Sequence, residues 1–261
     1  MQQFGDVQLT ADGHVTVVEM QRPPHNFFDA ALVGALADAL EYLDGVDACR
    51  AVVLAAQGRS FSAGANFQSK SGQALFDESS ERRADDLYGH ALRLFRTRKP
   101  VVAAVHGPAV GGGLGLALVA DFRVICENTR FSANFVKLGV HAGFGLSHVL
   151  PRIVGQQHAR LLLLTGRRIG PEQAMTMGLG DLLSTADNIR QDAVALAREI
   201  AEAAPLAVES TRETLRLGLA DAVEERLQRE FAEQMRLSST GDHAEGVRAV
   251  TERRPGEFQR R

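Results

Sequence analysis

The sequence predicts a mixed α/β fold followed by a helical tail. Short apolar runs rich in β-branched residues alternate with segments of helical periodicity as far as Pro171, a pattern typical of parallel strand–helix–strand units. Strand signals are absent beyond that point. The 261 residues include 25 glycines, and a run of them lies in one central strand–turn–helix segment. A chain of this length can bury a large core, as one sizeable domain or as one domain with an appendage.

The N-terminal part is predicted to contain a hairpin, a helix and a buried strand. Residues 7–10 and Val15–Met20 form strand-like runs joined by a glycine-containing turn, which favours a hairpin. Asp29 is placed to cap a helix, and Ala51–Ala56 has the apolar composition of a buried strand. Residues 69–86 are polar without an apolar stripe, so we interpret them as a mobile lid or wall segment.

Residues 101–121 form the segment around which the chain is organised. The apolar run Val101–Val105 predicts a buried strand, and a turn with Gly111, Gly112 and Gly113 follows it. An apolar helix is expected from Leu114 onward. A helix that begins after glycines presents unpaired N–H groups, which can stabilise an anion or a developing oxyanion.

The remaining strands and helices follow from the same signals. Two short strands are predicted at residues 122–126 and 130–133, then a glycine-rich loop at 138–145 and a helix at 146–164 broken near Pro151 and Gly155. In the tail, Asp187 is expected to cap one helix, and Asp242 with Glu245 resembles a capping box. We expect an α/β core at residues 1–195 and a helical region at 196–261, to which the resemblance described below assigns oligomerisation.

Composition limits the classes of partner. A net charge of −3 and a pI near 6.3 argue against a nucleic-acid partner. No segment has the length and composition of a membrane span or of a secretory signal, so we expect no membrane association and a cytoplasmic location. Cys49 and Cys126 are expected to be free buried thiols. The eight histidines show no metal-binding spacing, and no metal is inferred.

Four features in order along the chain resemble the crotonase (enoyl-CoA hydratase/isomerase) superfamily. They are an Arg-Pro-Pro…Asn stretch at residues 22–26, Phe-Ser-Ala-Gly-Ala at 61–65, the glycine triplet with Asp121, and Leu-Leu-Thr-Gly-Arg at 163–167. The resemblance implies a spiral of ββα units with a C-terminal helical trimerisation region, and hence a homotrimer or a hexamer.

The resemblance also implies roles for matching positions. The backbone N–H groups of Ala65 and Gly112 are expected to form the oxyanion hole. Coenzyme A, which enters as part of a thioester substrate and not as a bound cofactor, is expected to contact a set of residues near this hole: Pro24, His25, Ala63, Gly64 and Phe135. Arg253 or Arg254 is a candidate contact for its phosphates.

The sequence departs from the family at its proton-transfer residues. Hydratases of the family use two glutamates, and their places are taken here by Gly115 and Phe135, neither of which can exchange a proton. The aspartate nucleophile of 4-chlorobenzoyl-CoA dehalogenases would fall at Gly143. The aspartate of 1,4-dihydroxynaphthoyl-CoA synthases would fall at Ala142.

His141 in the glycine-rich loop is the leading candidate for an acid or base, and a loop histidine without a chemical role is the alternative. Tyr88 and His90 are expected on a solvated face. Five apolar residues suggest either an acyl pocket or packed core: Phe67, Leu75, Phe76, Phe135 and Phe144.

The function that the resemblance implies is that of an acyl-CoA-processing enzyme of the enoyl-CoA hydratase/isomerase family, which stabilises a thioester enolate. Two alternatives stay open. One is a non-catalytic acyl-CoA binding protein, favoured by the absence of both glutamates. The other is a decarboxylase, thioesterase or C–C hydrolase that uses His141 as its base.

Overall fold

The computed structural model describes residues 2–66 and 81–261. A seven-stranded sheet forms its centre, in the order β1-β2-β3-β4-β5-β7-β10. The first three strands are antiparallel and the rest are parallel. Their bounds are β1 Gln2–Phe4, β2 Val7–Asp12, β3 Val15–Met20, β4 Ala51–Ala56, β5 Val101–Val105, β7 Phe122–Ile125 and β10 Leu182–Leu183.

A second sheet of three short strands lies beside the central glycine turn. Its strands are β6 Pro108–Val110, β8 Arg130–Ser132 and β9 Arg168–Ile169, in the order β6-β8-β9. The two-residue strand β10 was missed by the prediction that strands end before Pro171. Both of its residues are exposed leucines, so no burial pattern marks it as a strand.

The described residues contain nine α-helices and one 3₁₀ turn. They are α1 Ala30–Asp44, α2 Glu81–Phe95, α3 Gly112–Ala117, the 3₁₀ turn Asn134–Leu138, α4 Leu146–Thr165, α5 Pro171–Thr176, α6 Ile189–Glu202, α7 Pro205–Leu215, α8 Leu219–Ser238 and α9 Gly241–Glu252. Within this part of the chain, no helix is both long enough and apolar enough to span a bilayer.

Most of the predicted element positions are confirmed. Asp29 caps α1, since its carboxylate accepts a hydrogen bond of 2.9 Å from the Leu32 N–H. The chain within α4 breaks at Gly155, where φ is +75°. The helix after the central turn begins at Gly112, two residues earlier than predicted, because glycines can enter the helix as readily as they form the turn.

Three predictions about caps and connections are wrong. Helix α6 follows Asn188 instead of Asp187 and has no side-chain cap. Thr240, and not Asp242, caps α9, because Asp242 accepts hydrogen bonds from the backbone of residues 259 and 260 instead. Residues 81–86 of the predicted lid form the first turns of α2. The rest of that segment, with Phe67, Leu75 and Phe76, lies outside the described residues.

The core lies on both faces of the large sheet. One cluster packs α1 to α4 against it, and a smaller one packs the apolar face of α6 against β3, β4, β5 and β7. The expected boundary at residue 195 falls inside α6. The helices that follow are tied to the core through Asp121, which accepts hydrogen bonds from the Val101 N–H at 2.8 Å and from Arg212 and Arg216 at 2.8 and 3.1 Å.

Candidate active site

A cavity of about 530 Å³ opens where the central glycine turn, the segment 63–66 and helices α2, α8 and α9 meet. Aromatic rings form much of its wall: Phe27, Phe28, Tyr88, Phe135, Phe144 and Phe231. A cavity of this size with an apolar wall and a few polar groups is typical of a small-molecule site. The described cavity wall contains no Asp or Glu.

Two backbone segments cross closely at one wall of the cavity. Ser62 pairs with β6: its N–H donates to the Pro108 carbonyl at 3.1 Å, and its carbonyl accepts from the Val110 N–H at 3.0 Å. A Cβ at Gly113 would collide with the Ser62 carbonyl, and one at Gly64 would lie 2.7 Å from the Val110 carbonyl. Glycine is therefore required on both sides of this crossing.

This crossing brings Ala65 and Gly112 to the same cavity. Both residues line it, and neither N–H has a hydrogen-bond acceptor within residues 2–66 and 81–261. Gly112 is the first residue of α3, so it has no partner one turn earlier in its own helix. Two unpaired donors in an apolar cavity can bind an oxygen that gains negative charge.

Other predicted substrate contacts lie at the same cavity, with one exception. His25, Ala63, Gly64 and Phe135 line it, together with Phe144. Pro24 is not among the described lining residues. Its carbonyl instead accepts hydrogen bonds from the backbone N–H groups of residues 59 and 60, at 2.8 and 3.2 Å.

His141 is half-buried. Its Nδ1 is 2.7 Å from the Ala142 carbonyl, and its own carbonyl accepts a hydrogen bond of 2.8 Å from Gln234 Nε2. It is not among the described residues that line the cavity. The structure therefore brings Ala65 and Gly112 together without His141.

Tyr88 lines the cavity, so the expectation that it lies on a solvated face is wrong. Its hydroxyl donates a hydrogen bond of 2.6 Å to Gln234 Oε1, and its ring packs against Phe231 at a centroid distance of 5.7 Å. Burial raises the pKa of Tyr88 well above its usual value, and the charge of Glu230 raises it further. Leu92 lies four residues later on α2 and is buried. Because residues four apart lie on the same face of a helix, this spacing was the sequence signal that could have predicted an inward-facing Tyr88.

Gln234 and Glu230, one turn apart on α8, are not among the candidates from the sequence, because polar residues on an amphipathic helix ordinarily face solvent. Glu230 is fully buried and accepts hydrogen bonds from the N–H groups of Gly145 and Ser147, at 2.8 and 2.9 Å. Burial is the largest effect on its carboxyl and raises its pKa. Glu230 thus holds the loop that carries Phe144 against the cavity.

Comparisons with known proteins place the chain among characterised families. The family model described as enoyl-CoA hydratase/isomerase matches residues 10–261. The chain belongs to this family. A Thermus thermophilus protein assigned by name to the enoyl-CoA hydratases is 36% identical over 254 residues, which cover 94% of this chain and 98% of that protein.

Two further relatives show the breadth of the family. An Arthrobacter protein named 4-chlorobenzoyl coenzyme A dehalogenase-2 is 33% identical over 194 residues, which cover 74% of this chain and 70% of that protein. The crystal structure of an enoyl-CoA hydratase/isomerase from Pseudoalteromonas atlantica superimposes with a TM-score of 0.85 at 27% identity, covering 97% of this chain and all of that one. The crotonase-like α/β fold expected from the sequence is confirmed.

The resemblance to the family predicts that Gly115 and Phe135 stand at its two glutamate positions, and this stays a prediction. A Cβ at Gly115 would lie 2.8 Å from the Cβ of Phe144, so a glutamate there requires Phe144 to move. Phe135 lines the cavity and adds a ring to its wall. Phe144 therefore packs into the space that a side chain at position 115 would occupy.

Proposed function

We propose that this protein processes an acyl-CoA thioester by stabilising its enolate with the N–H groups of Ala65 and Gly112. The observation that carries the proposal is that Ala65 and Gly112 both line the cavity, while neither N–H has an acceptor in the described part of the chain. A thioester oxygen gains negative charge when a proton leaves the adjacent carbon, and fixed backbone donors stabilise that charge without reorganisation. Because the donors are backbone groups, they do not depend on the missing glutamates.

The cavity wall also supports contacts to the coenzyme A part of the substrate. Arg168 and Arg253 line the cavity, and neither has an ion-pair partner in the described part of the chain. By contrast, Arg254 is held by Glu245 and Glu252. We therefore favour Arg253 over Arg254 as the phosphate contact, with Arg168 as a second cation.

Two further elements of the proposal concern the oligomeric state and the location of the protein. Leu206, Leu215 and Leu217 on and after α7 are 79%, 75% and 82% exposed, and leucines so exposed support a homotrimer or hexamer. Cys49 and Cys126 are free and buried, which supports a cytoplasmic location. Light scattering of the purified protein tests the oligomeric state.

A non-catalytic acyl-CoA binding protein is the second candidate. The observation in its favour is that the described cavity wall has no carboxylate. Exchange of the α-protons of butyryl-CoA in deuterated water, followed by mass spectrometry, tests enolate formation whatever the final reaction. Calorimetry with the same ligand measures binding in parallel. Exchange with binding supports the enzyme, binding without exchange supports the binding protein, and absence of both contradicts the acyl-CoA site.

His141 as a base stays a prediction, together with the decarboxylase, thioesterase or C–C hydrolase that would use it. The variant His141→Ala tests it directly. If α-proton exchange is lost while binding is retained, His141 transfers the proton. If exchange continues, the base lies elsewhere, and His25 at the cavity wall is the next residue to change.

A further inference from the structure

Gly143 faces a pair of polar side chains that the proposed enolate chemistry does not use. A Cβ at this position would collide with Tyr88 Oη and lie 2.5 Å from Gln234 Nε2. The pair therefore fills the space that a side chain at 143 would occupy. All three residues line the cavity, and the polar atoms of the pair lie on the side of Gly143 to which a Cβ would point.

Hydrogen bonds fix which atoms the pair presents. Gln234 Nε2 donates to the His141 carbonyl at 2.8 Å, and only the amide nitrogen can donate to a carbonyl. Gln234 Oε1 must then face Tyr88, whose hydroxyl therefore donates to it at 2.6 Å. With its proton committed to Gln234, the Tyr88 oxygen can only accept; the Phe144 backbone N–H already donates to it, and its remaining lone pair is open to a ligand donor. The second N–H of Gln234 Nε2 has no acceptor in the structure as described.

The surroundings of the pair favour a neutral ligand group. Burial and the nearby Glu230 carboxylate both raise the pKa of Tyr88, an effect that the Phe144 backbone N–H only partly opposes. Tyr88 thus remains a protonated phenol at neutral pH, and the same negative charge disfavours a carboxylate ligand. One acceptor and one donor side by side match a hydroxyl, which itself donates and accepts.

Aromatic rings separate this pair from the oxyanion donors. The Phe28 ring packs directly against Gly112, and it meets the Phe144 ring at a centroid distance of 5.5 Å. Phe144 follows Gly143, which faces the pair. A ligand that reaches from the Gly112 N–H to Tyr88 passes along these rings, and flat apolar groups pack well against them.

We propose that Tyr88 and Gln234 select acyl groups that carry a neutral hydroxyl at the end far from the thioester. This inference rests on the proposed acyl-CoA function and adds the substrate class. The acyl group is flat and apolar along the phenylalanine rings, and its terminal hydroxyl donates to Tyr88 Oη and accepts from Gln234 Nε2.

The test compares calorimetric binding of 4-hydroxyphenylacetyl-CoA and phenylacetyl-CoA. The native protein is expected to prefer the hydroxylated ester about tenfold, as one or two net hydrogen bonds allow. The variants Tyr88→Phe and Gln234→Leu should each bring the ratio close to one while phenylacetyl-CoA still binds. Tyr42→Phe changes the chain's other tyrosine, which is exposed, and should keep the native preference.

The outcomes separate this inference from the function on which it rests. Equal binding of the two esters by the native protein overturns the hydroxyl subsite alone, as does a preference that survives in Tyr88→Phe. Failure of both esters to bind overturns the acyl-CoA function and the subsite together. The pair 3-hydroxybutyryl-CoA and butyryl-CoA locates the subsite: their binding ratio should be the same in Tyr88→Phe as in the native protein, and a change would contradict recognition at the far end.

Discussion

Replacing Gly112 with alanine should damage both the proposed oxyanion hole and the packing behind it. The new Cβ would lie less than 3 Å from two carbons of the Phe28 ring, whereas carbon atoms normally approach to about 3.5–4.0 Å. Phe28 is buried and packs on Phe144, so neither ring can move without disturbing the other. Overpacking of this kind costs about 1–3 kcal/mol of unfolding free energy.

The same collision should displace the Gly112 N–H from the bound thioester oxygen. Loss of one net hydrogen bond of about 1–1.5 kcal/mol weakens binding by roughly tenfold. The assays are calorimetry with crotonyl-CoA and urea unfolding. The double variant Gly112→Ala/Phe28→Ala removes the ring that the new Cβ would meet. It should recover part of the binding lost in Gly112→Ala, because the effects of two changes in direct contact are coupled.

Gly89 provides the control for this experiment. It lies on the exposed face of α2, and a Cβ there would meet nothing within 4 Å. Gly89→Ala should therefore leave binding unchanged and stabilise the protein by up to about 1 kcal/mol through helix propensity. Native affinity and native stability in Gly112→Ala would refute the reasoning that this glycine is needed for the cavity.

The remaining predictions concern three charged residues that hold the fold around the site, Glu230, Glu245 and Asp121. Glu230→Ala leaves the N–H groups of Gly145 and Ser147 without their acceptor and should lower the unfolding free energy by about 2–3 kcal/mol in urea titrations. Because burial raises the pKa of Glu230, its ionisation destabilises the native protein as pH rises above about 4.5, so the stability of Glu230→Gln should depend less on pH there. Hydrogen bonds from arginine lower the pKa of Glu245 to about 2. Its contribution is present above pH 4.5 and lost as pH falls toward 2, and Glu245→Gln should lose this acid dependence in thermal melts. Asp121→Ala leaves two arginines unpaired and should cost about 3 kcal/mol in chemical denaturation; a change below 0.5 kcal/mol would contradict its anchoring role.

The sequence predicted those features that depend on local chemistry. Asp29 caps α1 because the cap requires only a carboxylate at the right offset from the helix. The glycine turn was recognisable because close backbone crossings leave no alternative residue. Asp187 and Asp242 have the same local signal as Asp29, yet they do not cap. For Asp242, hydrogen bonds to a distant segment compete for the carboxylate.

The polar part of the cavity could not be predicted, since it depends on tertiary packing. Tyr88 and Gln234 are 146 residues apart, and no local pattern shows that α2 and α8 pack together. Their orientation depends on a carbonyl in a third segment, that of His141. His141 itself was singled out by residue type and loop position, which do not determine the direction of a side chain.

The most direct test of the central claim is the infrared carbonyl stretch of butyryl-CoA labelled with ¹³C at the thioester carbonyl. If the N–H groups of Ala65 and Gly112 both bind the oxygen, the bound carbonyl should absorb at lower frequency than in water, and Gly112→Ala should reverse part of that shift. A bound carbonyl that absorbs at or above its frequency in water would contradict the oxyanion hole.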